Sequence, residues 1–334
     1  MLILGSGSDY KIADKAVKVL EEMEVPYDLR VASAHRTHGR VKDIMTNCTD
    51  GIEVFIAIAG LAAHLPGVIA AYTDKPVIGV PVNGKIEGLD SLLSCTEMQL
   101  GTPIATMGID RGDNAAWLSC QIIAYNDERL KQALKDKRES YNIKMENDEK
   151  ELIEKIGTSF YTKNPRNEHE RPQIDKELIL EDNTKVLIIS ENYSNMRIVH
   201  EITQTLDRLG INSEYKVISP TRSPDKLEKY MKDADNQVDF YIAVTNLSSV
   251  LSGAIVSHTT KPVIGVPCST NLEGIDSLLS MVEMPPGVPT ATFGIDAGEN
   301  AALFIGRILS VYHKETKEAL NNYMKTLHRN IYYE

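Results

Sequence analysis

The stretch "KPVIGVPVNGKIEGLDSLLS" at 75–94 returns as "KPVIGVPCSTNLEGIDSLLS" at 261–280, identical at 14 of 20 positions. The same offset of 186, without a gap, pairs Leu2 and Ile3 with Ile188 and Ile189, Arg36 with Arg222, Gly67 with Gly253, "GID" at 108–110 with "GID" at 294–296, and Asn114 with Asn300. A period this long is a duplicated domain and not a solenoid repeat, whose units run to about 20–50 residues. Within each copy, short apolar runs alternate with stretches of helical spacing. The pattern predicts strands over about 2–4, 27–32, 53–59, 76–80 and 103–107, with helices over 10–23, 38–49 and 66–73 and another beginning near Asn114. The second copy repeats it, with strands over 185–190, 213–218, 239–245, 262–266 and 289–293, helices over 196–209, 224–234 and 251–259, and a helix start near Asn300. Nearly continuous apolar strands alternating with helices predict an α/β fold, a parallel sheet covered on both faces as a three-layer α/β/α sandwich, present twice.

The chain has 334 residues, 42% of them hydrophobic, which is ample core for two domains. A formal charge of -11 argues against a nucleic-acid partner, since phosphate backbones bind to basic surfaces. Cys48, Cys95, Cys120 and Cys268 have neither the CxxC spacing nor the nearby His pair of a metal site, so no metal is expected and the thiols read as reduced and cytoplasmic. The first strand begins at once, leaving no room for a signal peptide. The most apolar run, 54–72, is broken by Gly60, His64, Pro66 and Gly67, so no membrane span is expected. Residues 121–157 carry a long charged helix, and 158–183, with two prolines and no period, reads as the linker between domains 1–157 and 184–334.

In a parallel sheet of this kind, ligands bind beyond the carboxyl ends of the strands. Three loops of the first copy fall there. "GSGSD" (5–9) follows the first strand and opens a helix, so its backbone N–H groups, with the Ser6 and Ser8 hydroxyls, can cradle an anion such as a phosphate. It fits neither the Walker nor the dinucleotide pattern. Asp9 reads as a helix N-cap, alone or with a ligand contact. "SAHRTHGR" (33–40) sets a proton carrier, His35, beside a bidentate anion binder, Arg36; taken alone, a loop His is more often bland than catalytic, and its place at the same sheet end as the Gly-Ser turn makes the two readings even. "AGLAAHLPG" (59–67) supplies small residues and His64, which reads either as a second site residue or as a core-lining side chain.

In order and spacing, "GSGSD", "SAHRT", "AAHLPG" and "GLDSLLS" resemble the PurE family of purine biosynthesis across essentially the whole first copy, and the "HRT" and "HLPG" forms resemble its class I, N5-carboxyaminoimidazole ribonucleotide mutase branch. The resemblance implies a flavodoxin-like sheet and a small-molecule ribonucleotide substrate held by Gly5, Ser6, Ser8, Asp9, Ser33 and Arg36. It makes His35 the general acid and base, and it lets Ala62, Ala63, His64 and Leu65 line a pocket for CO2. No cofactor is implied, whether metal, biotin or ATP. The product would be 4-carboxy-5-aminoimidazole ribonucleotide. Family assembly into octamers of single domains implies a homo-oligomer here, with a tetramer of tandem chains as the equivalent.

The offset also allows each site residue to be checked in the second copy. Gly5 becomes Glu191, Ser6 becomes Asn192, Gly7 becomes Tyr193, Asp9 becomes Asn195, His35 becomes Thr221 and His64 becomes Val250, while Ser194, Ser219 and Arg222 persist. This copy should fold without catalysing, and a role in completing the wall of the first copy's site is expected of it. The first copy departs from the family at "EMQLGTP" (97–103), where Met-Pro-x-Gly-x-Pro is usual and the second copy has "EMPPGVP" (283–289); at His38, usually Pro; and at Leu61, usually Gly. Competing readings are a direct carboxylase of 5-aminoimidazole ribonucleotide on the same residues, a non-catalytic ribonucleotide-binding scaffold, and, more distantly, a carboxylase of another nucleotide.

Overall fold

The computed structural model describes residues 1–156, 180–181 and 183–332, so nearly all of the expected linker lies outside the described residues. The first half contains β1 (Leu2–Leu4), α1 (Tyr10–Glu22), β2 (Leu29–Val31), α2 (His38–Asn47), β3 (Phe55–Ala59), α3 (Leu65–Ala71), β4 (Val77–Pro81), α4 (Leu89–Thr96), β5 (Ala105–Thr106), α5 (Gly112–Ile123) and the long α6 (Glu128–Ile156). The second half repeats the series as β6 (Val186–Ser190), α7 (Met196–Arg208), β7 (Ser213–Val217), α8 (Pro224–Ala234), β8 (Phe240–Thr245), α9 (Val250–His258), β9 (Val263–Pro267), α10 (Ile275–Val282), β10 (Ala291–Thr292), α11 (Gly298–Tyr312) and α12 (Lys314–Tyr332). The strand expected over 27–32 is only three residues long because its one partner, β1, offers three residues to pair with.

Each half has the strand order 2-1-3-4-5 of flavodoxin-like sheets. Alternation along the strands divides the core between two faces. Leu2, Leu4, Ile56, Ile58, Ile78 and Val80 pack with Ala13, Ala16 and Val19 of α1 and with α5. Ile3, Phe55, Ala57 and Val77 point the other way, towards Val41 and Ile44 of α2 and Ile69 of α3. The three-layer arrangement therefore follows directly from strands that are apolar on both faces.

The halves do not fold into separate sheets. β5 and β10, two residues each, pair antiparallel at Thr106 and Thr292, making one ten-stranded sheet of two parallel halves. Each thereby covers the edge that the other half would leave unpaired. The join is closed by reciprocal side chains, as an interface of two-fold character requires. The Asn114 amide donates to the Met284 and Pro285 carbonyls (3.2 and 3.0 Å) and its Oδ1 accepts from the Gly287 N–H at 2.9 Å. Asn300 does the same to the first half, donating to Met98 and Gln99 (3.3 and 3.1 Å) and accepting from the Gly101 N–H at 3.0 Å. Gly101 and Gly287 both hold a left-handed φ, +90° and +83°, which a side chain would strain. Leu92, Leu278 and Val282 are fully buried at this join, each contributing about 2 kcal/mol of apolar burial.

Asn300→Ala would leave two part-buried carbonyls and one buried N–H of the 98–101 loop without their partner. A loss of about 2 kcal/mol is expected, read by calorimetry as a melting temperature lower by several degrees.

Candidate active site

All eleven residues singled out in the first copy line one cleft of about 610 Å³ at the carboxyl ends of β1, β2, β3 and β4. Three loops build it. After β1, Ser6 caps a short 3-10 turn, its Oγ accepting from the Ser8 N–H at 3.3 Å and from the Ser8 hydroxyl at 2.9 Å. After β2, the Ser33 N–H donates to Thr37 Oγ1 (2.9 Å) and the Arg36 N–H to Ser33 Oγ (3.2 Å), which locks the turn that projects His35 and Arg36. After β3, the Ala63 N–H closes a turn onto the Gly60 carbonyl (3.1 Å), and α3 starts immediately beyond His64 with Pro66 in its first turn, where the missing N–H costs nothing.

The three loops converge. His35 Nε2 lies 2.9 Å from His64 Nδ1, with the rings edge to face. Only one of these two nitrogens can carry the proton between them, so the pair can hand a proton from one ring to the other. An Arg36 Nη2 donates to the Gly5 carbonyl at 3.3 Å, which ties the anion binder to the Gly-Ser turn. His64 is exposed and partnered by His35, so it is not the core-lining side chain that one sequence reading allowed.

Asp9 departs from the expected helix cap. It stands at the N-cap of α1 but makes no side-chain cap bond; its Oδ1 instead accepts from the Ser8 hydroxyl at 3.1 Å. Burial raises the Asp9 carboxyl above its ordinary range, against the opposing Ser8 hydrogen bond. Leu61, the departure noted from sequence, lines the cleft, and not singled out from sequence were Ala34, Ala59, Gly60, Val82, Asn83 and Gly84. The last three follow β4, and the rule that ligands sit beyond strand ends, applied to the fourth strand as well, would have found them. Leu61 has a left-handed φ of +56°, the conformation that makes glycine the easier residue there, and its side chain leans towards Gly84.

Every lining residue belongs to the first half, so within one chain the second half does not complete the wall. It meets the first half at β5 and at the 98–101 loop instead. In its own equivalent loops, the Glu191 carboxylate accepts from Thr245 Oγ1 at 2.5 Å, close to where Gly5 leaves space beside Ala59. Thr221 faces Ser219 at 3.2 Å, and Val250 takes the place of His64.

A family model described as AIR carboxylase matches the chain twice, over residues 1–144 and 185–330. The chain belongs to the AIR carboxylase family. It is 44% identical, over 96% of both chains, to a probable N5-carboxyaminoimidazole ribonucleotide mutase of Methanothermobacter thermautotrophicus. Over 43% of this chain and 90% of the relative it is 54% identical to the N5-carboxyaminoimidazole ribonucleotide mutase of Methanocaldococcus jannaschii. A phosphoribosylaminoimidazole carboxylase of Schizosaccharomyces pombe is 42% identical over 48% of this chain and 29% of its own length. The duplication read from the repeat is thus a duplication of the AIR carboxylase unit.

Among the described residues no group of His, Cys, Asp or Glu side chains is placed to hold a metal ion, and no helix is long and apolar enough to cross a membrane. Because the Asp9 carboxyl titrates higher when folded than when unfolded, its ionisation opposes folding, and that deficit is present above its titration range. Asp9→Asn is expected to raise the melting temperature at pH 7, the gain shrinking as pH falls through the carboxyl range; a thermal-melt series across pH checks it.

Proposed function

We propose that this AIR carboxylase family member is an N5-carboxyaminoimidazole ribonucleotide mutase, forming 4-carboxy-5-aminoimidazole ribonucleotide in the cleft of its first half. The observation that carries the reading is the His35–His64 hydrogen bond in the same cleft as Arg36 and the 5–9 turn. The full-length relative at 44% identity, named as a probable mutase, supports the choice of reaction. The 5–9 turn and Arg36 hold the phosphate and ribose side of the substrate. His35 donates a proton to the exocyclic nitrogen as the N–carboxylate bond breaks and CO2 leaves. The freed CO2 is held against Ala62, Ala63, His64 and Leu65, C4 of the ring attacks it, and neutral His35 removes the C4 proton. Imidazole is the side-chain type suited to both steps, since it accepts and releases protons in the neutral range. His64, 2.9 Å away, hydrogen-bonds to the His35 ring and holds it in place through both steps. The second half, without the glycines or either histidine, is structural.

The purified chain is expected to turn over N5-carboxyaminoimidazole ribonucleotide in preference to 5-aminoimidazole ribonucleotide with low bicarbonate. His35→Asn should lower kcat by about 10²–10⁴-fold. Efficient turnover of 5-aminoimidazole ribonucleotide alone would instead establish the direct carboxylase that the Schizosaccharomyces relative's name suggests. Turnover of neither would favour a binding scaffold.

The reading includes a cytoplasmic homo-oligomer. The four cysteines are free thiols, as a reducing compartment keeps them. CO2 must be kept from bulk water between the steps, yet His35 and His64 are exposed in a single chain. Leu61 at that opening is exposed, as are Ile86, Leu89 and Leu93, and the second half repeats the set as Leu247, Leu272, Ile275 and Leu279. A two-fold set of exposed apolar side chains of this kind supports self-association, four tandem chains being the equivalent of eight family domains. Ile86 and Leu272 are the most exposed, at 72% and 73%. Ile86→Glu combined with Leu272→Glu should shift the mass measured by light scattering from an oligomer to one chain, with loss of turnover; an unchanged mass would remove this face from assembly.

A further inference from the structure

The join between the halves has two flanks related by the same two-fold, and they are filled differently. On one flank, Trp117, Gln121 and Leu134 of the first half, with Lys137, Arg138 and Tyr141 of α6, close against Thr260 and Gly287 of the second. The Tyr141 ring lies where any side chain at Gly287 would have to go, and only about 10 Å³ remains open. On the other flank, Arg307 of α11 stands at the position equivalent to Gln121, and Met324 of α12 at that of Arg138. There Met324 and Leu327, the latter equivalent to Tyr141, lie against Gly101, and beside them a cavity of about 490 Å³ remains between Arg307, Asn321 and Met324 of the second half and Thr49, Tyr72, Asp74, Lys75, Gly101 and Thr102 of the first.

Arg307 is the unusual group on this wall. It is only 4% exposed, and among the described residues no carboxylate lies within ion-pair distance of it. Its Nη1 and Nη2 donate to the Ala70 and Gly101 carbonyls at 3.2 and 3.3 Å, which satisfies part of its five-donor fork. Carbonyl dipoles do not neutralise a buried cation, and an unpaired buried charge is costly. Burial accordingly pushes its pKa down to about 10. The nearby carboxylate, Asp74, is drawn to Lys317 at 3.4 Å. Lys75, on the same wall, donates to the Thr49 carbonyl at 3.0 Å. In a chain of net charge -11, this cavity is therefore lined by two cations and one carboxylate that is already paired.

We propose that the cavity at the join is a second ligand site, which binds a small oxyanion, the phosphate or carboxylate group of a metabolite, through the Arg307 guanidinium. A planar fork matches either group with two parallel hydrogen bonds. The volume falls in the range of small-molecule sites. Because both halves contribute walls, a bound ligand tightens the join and stabilises the whole chain. This site is distinct from the cleft of the first half, with which it shares no lining residue.

The test uses the full chain carrying Arg36→Ala, which removes the guanidinium from the cleft, with inorganic phosphate and citrate as separate probes in calorimetric titration and thermal melts, and reads the binding that depends on Arg307 as the difference on adding Arg307→Gln. One or both probes should bind saturably at millimolar concentration and raise the melting temperature; which one binds distinguishes a phosphate from a carboxylate ligand. Adding Arg307→Gln, the residue that the other flank carries at this position, should weaken binding at least about tenfold. Met324→Trp, which places an indole in the cavity and leaves Arg307 in place, should reduce the shift. The proposal is overturned if neither probe binds up to about 10 mM, or if binding survives both substitutions.

Discussion

Two asparagine amides hold this molecule in one piece. Asn114 and Asn300 each reach across the join and satisfy two carbonyls and one N–H of a loop in the opposite half. The demand comes from the backbone: a loop partly covered by a neighbouring domain carries polar groups with reduced access to water, and the covered ones must find a partner. Neither half can meet that demand alone, because the asparagine that completes each loop belongs to the other. The antiparallel contact of β5 with β10 adds one shared sheet, and the apolar cluster of Leu92, Leu278 and Val282 fills the space beneath it.

On the proposed reading, fusing two such halves in one chain leaves the chemistry to the first of them. The first half keeps an Asp9 carboxyl partly buried without a cation at hydrogen-bond distance and an exposed His35–His64 pair. The second half has Asn195, Thr221 and Val250 at those positions and pairs Glu191 with Thr245, while Leu247 keeps the left-handed backbone of Leu61. It retains every element that meets its sister. The first half's departure from the usual loop at 97–103 falls on this contact surface, since Met98, Gln99 and Gly101 are the groups that Asn300 holds, and Met98 packs on Gly67 of α3, the helix that begins at His64. The altered loop thus lies between the join and the site without entering the cleft.

The sequence by itself determined the duplication, the alternation of strands and helices, and the set of loops that carry the cleft. Those features are local or periodic: apolar runs buried on both faces impose a parallel sheet, and a parallel sheet puts its turns at one end, where His35, Arg36, His64 and the 5–9 turn all fall. What only the tertiary structure decided depends on contacts between residues far apart in the chain. The 2.9 Å approach of His35 to His64, the use of Asp9 as a partner for Ser8 in place of a helix cap, and the entry of Asn83 and Gly84 into the cleft are of this kind. So are the reciprocal asparagines and the unequal flanks of the join, where Tyr141 closes one side and Arg307 is left facing a cavity on the other. A repeat in sequence announces two similar folds, but how they face each other is set by which buried polar groups remain to be paired, and periodicity within one strand or helix carries no record of that.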